Sequence, residues 1–260
     1  MGGMPLDLTC VDMTERQQEL ERIRDEVRQD PEDVSDDTMK YFWKLVRQIK
    51  REPQPDDDEI IVAAEARDIL FEVSRGRTYR LGPSLAVMTL IGLVPLAVYL
   101  WLLQTPLVWS SILTWTLTDI WQVVFRFICV MGVVAFFYPL GRVIAGMVLG
   151  IRLLGMCRDQ YYEPTIKIDY VTFLKTSPPK RKWFFFFAGF WTVITSIIVG
   201  IIGLIVAGDL TGFIPATILL LFEGYVVYSG NPSPTRGEMG HYNREKKIEK
   251  AWRKKLSETE

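Results

Sequence analysis

The chain has 260 residues, 49% of them hydrophobic, and a formal net charge of −1. Residues 1–82 hold 20 Asp and Glu against 13 Lys and Arg, whereas residues 83–260 hold 11 against 17. The two parts are therefore expected to face different environments or to face each other. The three cysteines show no paired spacing, so neither a disulfide framework nor a zinc knuckle is expected. No nucleic-acid partner is expected either.

Residues 1–82 are predicted to form an acidic, cytoplasmic head of three helices. The capping-box pattern of residues 14–17 opens the first helix, and Pro31 ends it. Four consecutive acidic residues, 56–59, occupy the first turn of the third helix, where the helix dipole favours negative charge. These helices contain few apolar residues, so the head is expected to pack against another part of the molecule.

The fold class predicted from the rest of the chain is an all-α integral membrane protein with a four-helix transmembrane domain within residues 83–228. Twenty helical residues span about 30 Å, the thickness of the hydrocarbon core of a bilayer. The third apolar segment has no polar face, which a helix of a soluble domain would need. The four apolar segments lie at about 84–103, 120–140, 183–207 and 212–228.

The charges of the loops predict the orientation of these segments. Residues 141–182 hold eight Lys and Arg, and residues 236–255 hold eight more. Residues 104–119 and 208–211 hold none. Because cytoplasmic loops carry the excess of Lys and Arg, the middle loop and both termini are predicted to be cytoplasmic. A multi-pass protein of the plasma membrane follows, with the lipid bilayer as its first partner.

Two cytoplasmic segments follow the second and fourth apolar segments. Residues 165–171 alternate polar and apolar side chains, which predicts a strand or hairpin at the membrane surface. Residues 229–260 are predicted to form a basic tail with a terminal helix. This tail is a solvated end, or it binds anionic lipid headgroups, or it docks on the acidic head. The basic residues of the candidate headgroup patch are Lys180, Arg181, Lys182, Arg244, Lys246, Lys247, Lys250, Arg253, Lys254 and Lys255.

Two charged residues, Arg126 and Glu223, lie within the apolar segments. A charge in hydrocarbon is costly unless it is paired or hydrated, so such residues are candidates for function. Their predicted depths differ by roughly 5–7 Å, at 1.5 Å per helical residue. We therefore predict an Arg126–Glu223 pair or a shared polar cavity. The alternative is that Arg126 extends outward and Glu223 caps a local bend. Asp209 is expected in water on the outer face.

Residues 136–155, FFYPLGRVIAGMVLGIRLLG, leave an apolar segment and continue with regularly spaced glycines. In the order and composition of their apolar segments and loops, residues 120–230 resemble the core of the site-2-type (M50) intramembrane metallopeptidases. The resemblance places Tyr138 and Arg142 at the two histidines of that family's HExxH motif and Pro139 at its glutamate. Proline is no general base and arginine is no zinc ligand. The resemblance therefore implies a degenerate, non-catalytic relative.

The only histidine, His241, stands in the basic tail and is expected to be solvated. No metal or cofactor is expected, since a zinc site needs several converging ligands. The leading functional hypothesis is a non-enzymatic binding, scaffold or regulatory subunit, with other membrane or cytoplasmic proteins as partners. One alternative is a small transporter or channel component that uses Arg126 and Glu223. Another is an active intramembrane metalloprotease.

Overall fold

The structure is a computed structural model that describes residues 14–105, 107–158, 164–233 and 237–259. The predicted all-α class fits, with one small sheet added to it. In chain order the helices are α1 (Glu15–Gln29), α2 (Asp36–Ile49), α3 (Asp57–Arg75), α4 (Leu81–Leu102), α5 (Leu117–Leu149), α6 (Tyr170–Lys175), α7 (Pro178–Ala207), α8 (Phe213–Ser229) and α9 (Gly237–Thr259). The strands are β1 (Tyr79–Arg80), β2 (Leu153–Arg158) and β3 (Pro164–Ile168).

Each of the three helices of the head, α1 to α3, begins after a residue whose side chain caps it. The side chains of Thr14, Ser35 and Asp56 each accept a hydrogen bond from a backbone N–H of the first turn that follows. Gly76 ends α3 with a φ of 69°, a conformation that residues with a side chain rarely adopt. The termini of these helices are therefore encoded locally.

Three helices, α4, α5 and α7, are long and apolar enough to cross a membrane. Helix α8 is also apolar but has only 17 residues, so length and composition bear out three of the four predicted spans. Helices α5 and α7 extend beyond the predicted segments: α5 runs nine residues past residue 140, and α7 begins five residues before residue 183. At 1.5 Å per residue they are about 50 and 45 Å long, which exceeds the hydrocarbon core.

The extra turns of α5 and α7 lie at the end of the bundle nearest to α1–α3, which we call the head end. Helix α5 continues through Pro139 to Leu149, and membrane helices tolerate an internal proline when neighbours satisfy the freed backbone. The carbonyl that Pro139 leaves without its helical donor is that of Ala135, four residues earlier. Trp191 of α7 donates a hydrogen bond of 3.1 Å to the carbonyl of Phe137, which joins α7 to α5 next to the proline. The opposite end, where α4 and α7 finish and α5 begins, is called the distal end.

The three strands form an antiparallel sheet in the order β1-β2-β3. Tyr79 of β1 lies opposite Met156 of β2, which lies opposite Ile166 of β3. The predicted strand over 165–171 is correct only to Ile168, because Asp169 caps the short helix α6 by accepting a hydrogen bond from the Val171 N–H. Strand β2 was not predicted from the sequence.

One hydrophobic core joins the head to the head end of the bundle. It contains apolar side chains of α1, α2 and α3 together with Ala145 of α5, Phe173 of α6, and Phe184 and Phe185 of α7. A smaller core at the distal end contains Tyr99, Val130 and Val199 and their neighbours. The head is therefore packed on the bundle, as its small number of apolar residues predicts. The division of the chain into head, bundle and tail stays a prediction.

Candidate functional site

The degenerate motif binds a carboxylate on the last helix. Tyr138 and Arg142 stand one turn apart on α5 and therefore share a face. The Tyr138 hydroxyl and the Arg142 guanidinium both donate to Oε1 of Glu238, the guanidinium through Nε at 2.7 Å and also through Nη2. Arg142 also donates to the hydroxyl of Thr165 on β3. We call Tyr138, Arg142 and Glu238 the Glu238 cluster.

The Glu238 cluster determines what this place can do chemically. Burial opposes the ionisation of Glu238, yet the nearby Arg142 charge brings the pKa of this carboxyl below its ordinary value. Arg142 has only donors and pairs with the carboxylate, so it cannot serve as a metal ligand. Pro139 is buried inside α5. Within the described ranges, no group of three or more His, Cys, Asp or Glu could hold a metal ion.

Several buried polar atoms near the start of α9 have no hydrogen-bond partner. They are Oε2 of Glu238, Oε2 of Glu223, Oδ1 of Asn243 and Nε of Arg244. The carboxylate of Glu223 is close enough to Glu238 for their charges to interact. Buried polar atoms nearly always have a partner in native proteins, so these four mark the surroundings of the first two turns of α9 as an incompletely satisfied polar region.

The predicted Arg126–Glu223 pair is wrong. Arg126 donates a hydrogen bond of 2.9 Å to Oδ1 of Asp209, and its exposure is 0% against 1% for Asp209. It also donates to the carbonyls of Leu102 and Thr105 where α4 ends. Depths counted along the helices do not reveal that the loop after α7 turns inward. That turn buries Asp209, which was expected in water, at the same level as Arg126.

Asp209 is bound from three sides at the distal end. Besides Arg126, the hydroxyls of Tyr99 and Thr211 donate to it at 2.9 and 2.8 Å. Gly203 of α7 makes room for this arrangement, since a methyl group there would come within 2.0 Å of the Tyr99 hydroxyl. This cluster, called the Asp209 cluster, joins α4, α5 and the loop after α7. Such geometry fits a structural clamp better than a conducting path.

A third buried cluster fixes the head to the tail. Glu245 of α9 accepts from Lys50 at 2.7 Å and from Nε of Arg181 at 3.0 Å. Arg181 also donates to the carbonyls of Lys50, Leu174 and Thr176. Burial opposes the ionisation of Glu245, but Lys50 and Arg181 together lower its pKa to about 2. Lys50, Arg181 and Glu245 are called the Glu245 cluster.

The predicted headgroup patch is divided between the interior and the surface. Arg181 is buried in the Glu245 cluster, and Lys182 donates to Glu249 at 2.6 Å, so these two are not available to lipid headgroups. Arg244 is partly buried beside His241. The other predicted patch residues remain exposed, namely Lys180, Lys246, Lys247, Lys250, Arg253, Lys254 and Lys255.

The tail helix docks rather than extending into solvent. It packs along α7, where the His241 ring stacks on Phe185 with centroids 5.0 Å apart. The expectation that His241 is solvated is therefore wrong. Burial together with the charge of Arg244 lowers the pKa of His241 to about 4. Lys255 reaches Glu52 of the head at 2.8 Å. Of the three alternative roles predicted for the tail, the structure shows docking on the head.

The acidic partners of these clusters were not predicted from the sequence. Glu238, Glu245 and Glu249 are spaced by seven and four residues, which places them on one face of α9, and all three are buried. That spacing was the signal, but the basic surplus of the tail obscured it. Asp209 was the only charge in its short loop. Nothing in the sequence indicates that Lys50 would be buried.

Comparisons of the chain with protein-family models, with curated proteins and with solved structures gave no match. The class that the three apolar helices indicate is that of helical membrane proteins. The resemblance of residues 120–230 to the M50 peptidases remains a prediction that depends on the order and texture of those residues.

Proposed function

We propose that this protein crosses the bilayer four times, with both termini in the cytoplasm. Exposed apolar side chains surround the bundle, for example Leu90 and Trp101 on α4 and Leu221 on α8, as lipid contact requires. Helix α8 supports the fourth crossing. It begins beside Gly200 of α7, and at its other end the Val226 carbonyl accepts from Asn243 of the head-end helix α9.

The topology is tested by single cysteines and a membrane-impermeant thiol reagent applied to intact cells. The native Cys129 and Cys157 are first changed to serine, together with Cys10. A cysteine at Leu113 in the exposed distal connection should react, whereas one at Lys246 on α9 should react only after the membrane is opened. The reverse pattern, or reaction at both sites in intact cells, would contradict the proposed orientation.

The function we infer is that of a non-enzymatic binding or regulatory subunit that holds an acidic surface at a fixed position above the membrane. One core and the buried Glu245 cluster join the head, the bundle and the tail. Breaking a buried ion pair typically costs about 3–5 kcal/mol, so this junction resists separation. A rigid junction suits a platform for another protein better than it suits a tethered, mobile domain.

The observation that carries this function is the exposed surface between α1 and α2. Five acidic side chains there are exposed, and Trp43, at 38% exposure, lies on the helix that follows. Exposed tryptophan is enriched at protein interfaces. Asp37 is paired with Lys40 at 3.1 Å, so the other four carboxylates give this surface its negative surplus, and such a surplus steers a partner of opposite charge. The partner class that fits is a protein with a basic surface. The acidic residues are Asp30, Glu32, Asp33, Asp36 and Asp37.

A site-specific photo-crosslinker at Trp43 in native membranes tests this function. We expect a discrete crosslinked partner that is lost at high salt and in the triple variant Asp33→Lys, Asp36→Lys, Asp37→Lys. The matched control places the crosslinker at Lys246 on the tail, where that product should be absent. Equal crosslinking at both positions, or a product that survives the charge reversal, would contradict the proposed partner surface.

A second candidate function is transport of protons or small cations, favoured by the unpartnered oxygens of Glu223 and Glu238. This proposal replaces the earlier one in which Arg126 took part, since Arg126 is bound in the Asp209 cluster. Flux into reconstituted vesicles that is abolished by Glu223→Gln would support it. Glu15→Gln, an exposed change in the head, serves as the control. Unchanged flux in Glu223→Gln would reject it.

We also propose that this protein is a non-catalytic relative of the M50 peptidases. Its support is that the positions matching the family's motif hold the Glu238 cluster, whose arginine donates to a carboxylate. Metal analysis of the purified protein distinguishes this from the hypothesis of an active metalloprotease. Stoichiometric zinc that disappears in Glu238→Gln would overturn the non-enzymatic function.

A further inference from the structure

A cavity of about 370 Å³ lies between the sheet and the first two turns of α4. Tyr79, Met156 and Arg158 line it from one face of the sheet, as expected because Tyr79 and Met156 are directly opposed and Met156 and Arg158 are two residues apart. Val87 and Met88 line it from α4. Its volume lies within the range of small-molecule sites.

The position of this cavity relates it to the membrane-facing surface. Val87 is both a lining residue and an exposed one, at 54%, and Leu90 follows one turn later at 64%. The cavity therefore opens towards the apolar belt that lipid would cover. Its lining is mostly apolar, with Arg158 and Ser84 as the exceptions. A ligand with a long apolar part can enter it from the bilayer without crossing water.

The polar end of the cavity is basic. Arg158 lies on its lining, and the guanidinium of Arg77 is 5.8 Å from the centre of the Tyr79 ring. Arg77 is not a lining residue, but its guanidinium therefore lies beside the ring of a residue that is. None of the described lining residues is acidic. An anionic group is thus favoured at the mouth and an apolar chain inside.

We propose that this cavity binds an anionic phospholipid of the leaflet that faces the head. One acyl chain fills the space between β2 and α4, and the phosphate lies near Arg77 and Arg158. The proposal rests on the membrane location inferred above but not on the acidic head as a partner surface. A bound lipid here would hold the sheet, and through it the head, at the membrane surface.

The test uses the full chain in phosphatidylcholine nanodiscs containing a small fraction of photoactivatable lipid. One arm carries the reactive group on the acyl chain of phosphatidylglycerol and the other on phosphatidylcholine, and crosslinked peptides are mapped by mass spectrometry. We expect the anionic probe to label residues 83–88 and 153–158 in preference to the zwitterionic one. Arg158→Gln should lower that preference about fivefold, the factor that one basic residue contributes at a membrane surface.

A filling variant distinguishes the cavity from general lipid contact. Met88→Trp should abolish labelling of residues 153–158, while Val98→Trp, which fills a different groove on the same helix, should leave it unchanged. If Met88→Trp does not fold, Ser84→Leu provides a smaller filling, and an excess of unlabelled phosphatidylglycerol should displace the probe from the unmodified protein.

The possible results separate the two proposals. Equal labelling by both lipids, or labelling that persists after filling and competition, would overturn the lipid site while the membrane location stands. Recovery of the chain as a monomer in buffer without detergent or lipid would overturn both.

Discussion

The pairing of Arg126 with Asp209 makes a prediction that distinguishes the structure from the pattern expected from sequence. Both side chains are essentially inaccessible, so removing one charge leaves the other buried without its partner, at a cost of about 3–5 kcal/mol. Arg126→Met and Asp209→Asn should each be destabilising by this amount. The asparagine keeps an acceptor for Tyr99, so the double variant should lose little more than either single variant.

The double-mutant cycle therefore has an expected coupling of about 2 kcal/mol or more between Arg126 and Asp209. The measurement is the free energy of unfolding in mixed detergent micelles. The matched control is the cycle of Arg126→Met with Glu223→Gln, which should be additive to within about 0.5 kcal/mol because the two residues share no partner. Additive effects for Arg126 and Asp209, or strong coupling between Arg126 and Glu223, would refute the reasoning.

The remaining predictions concern pH and helix packing. The folded-state pKa of His241, about 4, lies below its ordinary value near 6.5. Between these two values the unfolded state binds more protons than the folded state, so stability should decrease as the pH is lowered from about 6.5 to about 4. His241→Gln should flatten the stability profile in that window, and an unchanged profile would contradict the burial of the ring. A separate loss should follow as pH falls from about 4.5 towards 2, where Glu245 is protonated, and Glu245→Gln should remove it. Gly141→Ala should cost about 1–3 kcal/mol in the free energy of unfolding, because its methyl group would meet Trp191 at 2.4 Å. Gly224→Ala on α8, with nothing within 4 Å, is the control and should be nearly neutral.

The sequence predicted the elements that depend on local or composition signals. Thr14 caps α1 and Pro31 follows the end of that helix, because caps and helix breakers depend on a few neighbouring residues. Long apolar segments identified α4, α5 and α7, since runs of that length with at most one charge are typical of membrane-spanning helices. The end of α5 was placed too early because Pro139 and Arg142 interrupt the apolar run without ending the helix.

The candidate sites were predicted only in part. Arg126, Tyr138 and Arg142 were singled out as residues of interest, and each is part of a buried polar cluster. Their partners were not found, because a charge pair between distant segments leaves no periodic trace in either segment. Glu223 was paired with the wrong residue for the same reason, since depth along a helix gives no information about rotation around it.

Composition and hydropathy alone indicate several helices that are apolar enough for a bilayer, and a mostly acidic segment followed by a mostly basic remainder. Which charges are buried together depends on how the helices pack. The basic tail places Glu238, Glu245 and Glu249 inside and its lysines outside, so Glu238 and Glu245 meet arginines from α5 and α7. The physical reason is that a buried charge needs a partner at hydrogen-bonding distance, and that distance is set by how helices pack, which no single segment encodes.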